Sequence, residues 1–65
     1  MTLDERLFEV AEWEYNTLVL DMEAQGEDWS YPGGPEAWFE EVFMKEQGWK
    51  AIRDDIIEEW EEDQV

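Results

Sequence analysis

The stretch that most constrains this chain is Pro35 to Trp49, PEAWFEEVFMKEQGW. On a helix, Trp38, Phe39, Val42 and Phe43 line one stripe, because residues three and four apart share a face. Pro35 suits the first helical turn, where a missing N–H costs nothing. Glu36, Glu40 and Glu41 stand on the other side, with Lys45 four residues after Glu41. The spacing predicts a helix over 35–47. Gly48 followed by Trp49 reads as a helix end, with a left-handed glycine and a hydrophobic residue behind it. An interior glycine costs only about 1 kcal/mol, so one kinked helix from Pro35 to Glu62 is the alternative to two separate ones.

So aromatic a stripe needs apolar neighbours on both sides. Before it, Leu3, Leu7, Val10, Ala11, Leu18 and Met22 recur at helical spacing, and Phe8, Tyr15 and Val19 widen that stripe. Thr2 with Glu5 three residues later is a capping-box pattern, and Gly26 supplies a stop, so the helix is expected over 2–25. Trp13 and Leu20 fall outside the stripe, to be either covered by the following loop or exposed. After it, Trp49, Ile52, Ile56 and Trp60 follow at spacings of three and four, which predicts a helix over 49–62 and a frayed tail at 63–65. The loop GEDWSYPGG, Gly26 to Gly34, has the composition of turns, and Trp29 and Tyr31 are expected to fold back over the apolar faces. No stretch alternates with period two. The expectation is an all-α, single-domain chain of three helices.

Size then matters. With 65 residues, a domain buries only roughly 60% of the surface its unfolded chain exposes. There is no Cys to cross-link it and no His. Five Trp, two Tyr and three Phe compensate, since a large aromatic buries about 150–250 Å².

The charge is the second constraint. Twenty acidic residues against four basic ones leave −16. A compact state with so many like charges repels itself. Disorder is the bland explanation, but disordered acidic chains lack the periodic apolar residues found here. Nucleic acid and anionic membrane surfaces repel such a protein, so neither is an expected partner. The acidic start lacks the basic flank of a secretory signal, and no apolar run reaches membrane-spanning length. A cytoplasmic protein is expected.

Little here supports catalysis. No Ser–His or Cys–His pair and no glycine-rich phosphate loop is present. Paired carboxylates need a cleft that raises one pKa, and an enzyme is not expected. Nor is a cofactor or metal. Calcium loops require alternating oxygen ligands with a central Gly and a closing Glu, a spacing absent from this chain, and side chains of Asp54, Asp55, Glu58 and Glu59 diverge on a helix.

What remains is the acid itself, set in rows. Glu5, Glu9 and Glu12 repeat along the first helix; Asp54, Asp55, Glu58, Glu61 and Glu62 do so along the third. At ~1.5 Å rise per residue, a row carries a carboxylate about every 4.5–6 Å. Duplex DNA advances ~3.4 Å per phosphate on each strand, so neighbouring rows together approach its density. Carboxylates accept charge-assisted hydrogen bonds from Arg and Lys as phosphates do.

In size, charge and acidic helix faces such as Glu5/Glu9/Glu12 and Asp54/Glu58/Glu61, the chain resembles the small acidic proteins of phages and mobile elements that inhibit DNA-binding enzymes by imitating DNA. Among them it is most similar to compact helical anti-CRISPR proteins that occupy the DNA- or PAM-reading subunit of a type I surveillance complex. The resemblance spans the whole chain and is compositional. Such families share no common fold, so no binding residue transfers by alignment. It implies a non-enzymatic inhibitor, monomeric or homodimeric, whose partner is a DNA-binding protein with a basic groove, such as a CRISPR–Cas subunit. Other classes stay open: an acidic interaction module or antitoxin that binds through Trp13 and Leu20, a halophile's domain solubilised by acid, or a homodimer that buries an aromatic face.

Overall fold

A computed structural model describes residues 2–63. Helix α1 spans Leu3–Ala24, α2 spans Gly34–Trp38 and α3 spans Lys50–Asp63. Between α2 and α3 lie a π-helical turn, Phe39–Phe43, and a 3₁₀ turn, Gln47–Trp49. No strand occurs among the described residues. None of their helices is long and apolar enough to cross a membrane.

Helix α1 is the spine of a molecule measuring 45 × 23 × 20 Å. Its ends follow from the sequence. The Glu5 N–H donates to Thr2 Oγ1 at 3.2 Å, and the Thr2 N–H reaches back to the Glu5 carboxylate at 3.4 Å. At the other end Gly26 takes φ +83°, a conformation that favours glycine. It places the Gly26 N–H on the Glu23 carbonyl and the Glu27 N–H on the Met22 carbonyl, at 2.9 and 2.8 Å. These bonds satisfy carbonyls that the helix end would otherwise leave open.

The core joins Leu7, Ala11 and Tyr15 of α1 to Trp38, Phe43 and Ile56. Trp49 meets both Trp38 and Phe43, with ring centroids 5.3 and 5.5 Å away. The loop closes over this core as expected. Trp29 is half-buried 5.4 Å from the Tyr15 ring, and the Tyr31 N–H donates to the Tyr15 hydroxyl at 3.2 Å. Gly33, at φ +93°, lets the chain enter α2 closely; a Cβ there would stand 2.6 Å from Ala37 Cβ.

The middle segment departs from the expected 35–47 helix. Regular α-turns end at Trp38, and the Met44 N–H bonds the Phe39 carbonyl, five residues back. The cause lies in the two buried rings. Trp38 and Phe43 are five residues apart, about 140° around an ordinary α-helix at 100° per residue. An i→i+5 turn brings such residues nearly over one another. Both rings thereby enter the core, with centroids 6.0 Å apart.

The chain then breaks at Glu46, whose backbone is extended at φ −75°, ψ 140°. Gly48 is therefore not the left-handed stop that its neighbours suggest. It has no positive φ and sits inside the 3₁₀ turn that leads into α3. Helical turns resume at Gln47, so this break separates α2 and its π-turn from α3. No side chain or glycine caps the π-turn in the expected way. Instead the Arg53 guanidinium, from α3, donates to the Phe43 carbonyl and, at 2.9 Å, to the Glu46 carbonyl. Asp63, expected to fray, is the last residue of α3; the rest of the expected tail, Gln64 and Val65, lies outside the described residues.

Candidate functional site

The α1 row stands where its spacing puts it. Glu5, Glu9 and Glu12 are all exposed. Core residues Leu7, Ala11 and Tyr15 occupy the inward face of the same helix, so the row is held outward by their burial. Glu5 does double service, because its carboxylate also closes the capping box. Glu9 receives the Arg6 guanidinium at 3.3 Å.

This row does not stand alone. It forms one wall of an open groove between α1 and α2, of about 560 Å³. Glu36 and Glu40 line it from the other side, and Asp4 also lines it. Phe8 and Phe39 lie in the floor, meeting edge to face with ring centroids 5.2 Å apart and planes at 83°. Both rings are half-buried, so each keeps a surface toward the groove. The π-helical turn contributes here too, since it carries Phe39 and Glu40. Sequence spacing marks Glu36 and Glu40 as an outer face but does not show that they come opposite Glu5 and Glu12. The available signal is an aromatic bordering each acid row: Phe8 after Glu5, and Phe39 after Glu36, each three residues on.

The α3 set stays outside this groove. Asp54, Asp55, Glu58, Glu61 and Glu62 are all exposed, on the side of α3 away from buried Ile56. Asp54 accepts from Lys50 Nζ at 2.7 Å. A second crevice, between α1 and α3, gathers Glu9, Glu59 and Asp63 around Arg6, beside Ile56 and Trp60. Glu59 was not marked by the sequence, because it flanks the apolar stripe of α3 and does not belong to its outer row, and Asp63 fell in the stretch expected to fray.

The basic residues are the counterpart of this surface. Of four in the chain, Arg6 is paired with Glu9, Lys50 with Asp54, and Arg53 with backbone carbonyls. Exposed pairs of this kind contribute roughly 0–1 kcal/mol each. Their larger effect is that three cations are directed at the chain itself. Among the described residues no other ion pair occurs, so Asp4, Glu12, Glu36 and Glu40 in the groove face solvent without one. Trp13 and Leu20, on the back of α1, are 64% and 65% exposed, so the loop does not cover them.

No protein-family model matches the chain, and no curated protein or solved structure matches it either.

Proposed function

We propose that this chain is a non-enzymatic inhibitor that occupies the basic DNA-binding groove of a target protein. One observation carries the reading: exposed carboxylate rows on separate helices, in a chain whose basic residues are mostly engaged by its own acids and carbonyls. Such a surface offers acceptors whose rows, taken together, approach the density of phosphates, on a scaffold ordered by an aromatic core. Arg and Lys in the target's groove engage these carboxylates in place of the DNA backbone. Opposite fields steer the encounter, so association is fast at low salt and slows as salt is added. At the finer level, the proposed target is the DNA- or PAM-reading subunit of a type I CRISPR–Cas surveillance complex.

The exposure of Trp13 and Leu20 favours a second reading, an interaction module or antitoxin that binds through apolar surface. Its binding depends only weakly on salt.

An equilibrium competition assay separates the two. The purified type I subunit is the first target; without displacement there, a protein captured from bacterial lysate and released by salt replaces it. Under the first reading this chain and duplex DNA exclude each other. Replacing Glu58, Glu61 and Glu62 together by Gln, or Glu5, Glu9 and Glu12 together by Gln, keeps size and helix propensity. Gln at position 5 also preserves the capping box. The triple facing the target weakens inhibition about tenfold or more, at unchanged helicity. If both triples retain full inhibition while Trp13→Ala abolishes it, the partner reads apolar surface and DNA mimicry is wrong.

A further inference from the structure

The groove between α1 and α2 is more specific than a row of charges. We propose that it receives an arginine side chain of the partner, with the guanidinium lying on the Phe8–Phe39 floor between the carboxylate walls. This deepens the reading above and rests on it, by stating which basic side chain enters which part of the surface.

The floor and the walls must be satisfied together. An apolar side chain suits Phe8 and Phe39 but would strip water from Glu5, Glu12, Glu36 and Glu40 without replacing it, which is costly. A lysine ammonium suits the walls, but it is compact and strongly hydrated and gains least from an aromatic floor. Guanidinium is flat and weakly hydrated. It stacks on aromatic rings and presents a fork of donors to carboxylates. The chain's own arginines do not fill the groove. Arg6 turns to Glu9 at the α1–α3 crevice, and Arg53 caps the π-turn. A second copy is a poor occupant, since its arginines are engaged in the same way and it carries the same −16. A cationic partner is the complement that remains.

Isotope-labelled protein titrated with blocked tetra-arginine and tetra-lysine peptides tests this by nuclear magnetic resonance. The arginine peptide is expected to move the ring protons of Phe8 and Phe39, and to bind about two- to fivefold more tightly than the lysine peptide. Phe8→Leu should abolish that preference, lowering affinity for the arginine peptide more than for the lysine peptide. Phe8 is only half-buried and Leu keeps much of its bulk; should helicity nevertheless fall, the ring shifts and peptide preference of the unaltered chain decide. Equal affinities, or shifts confined to Asp54–Glu62 while both rings stay still, overturn the proposal. That failure is distinct from failure of DNA mimicry, because the Gln triples test charge rows that need no aromatic floor.

Discussion

The Tyr31 hydroxyl donates to Glu41 Oε2 at 2.9 Å, tying the loop to the π-helical turn. That bond holds the phenol's proton and raises its pKa above the usual 10.0. Partial burial and the nearby charges of Glu41 and Glu46 push in the same direction. Folded protein therefore holds this proton more tightly than unfolded chain. The contact's contribution is complete below about pH 10 and is lost as pH rises through the raised value. Melting temperature should fall above about pH 10 more steeply in the unaltered protein than in Tyr31→Phe. Parallel curves for the two would show that the bond does not contribute.

A second prediction concerns Arg53. Its guanidinium reaches ten residues back to the Phe43 carbonyl and seven back to the Glu46 carbonyl. Hydrogen bonds to a charged group contribute about 1.5–3 kcal/mol, and Arg53→Met should lose roughly that amount while keeping the aliphatic stem. Arg53→Lys keeps the charge but not the fork, and should fall between the two. Urea denaturation of all three checks this. A Met variant as stable as the unaltered chain would mean that water serves those carbonyls equally well.

The two phenylalanines of the π-turn should differ. Phe43 is fully buried, whereas Phe39 is half-buried and reaches the groove. Phe43→Ala should cost about 3–5 kcal/mol, most of the stability of a small domain. Phe39→Ala should cost less, since part of its ring already faces water. Thermal melts followed by helical circular dichroism give the order, and a reversed order would misplace the centre of the core.

Local chemistry made α1 legible. Its cap, its glycine stop and its inward face all lie within a few residues of what they control, and the same count placed Trp13 and Leu20 off that face without deciding whether the loop covers them. The end of α2 was not legible. Counting at 3.6 residues per turn cannot register a turn that closes five residues back, and Gly48 drew the break two residues too late. Arg53 was hidden for another reason: its acceptors belong to a different element. The candidate site divides in the same way. Each acid row could be read from its own helix, but the groove depends on Phe8 meeting Phe39, and no single helix contains that information.

The π-turn also has a consequence for insertions and deletions. Losing one residue usually rotates everything beyond it by about 100° and ruins a helix face. Between Trp38 and Phe43 the opposite holds. Removing Glu40 leaves the two rings four residues apart, where an ordinary i→i+4 turn keeps them on one side. Adding a residue there has no such refuge. This segment is thus lopsided toward shortening, and a shorter relative of this chain would keep its core while giving up one carboxylate of the groove.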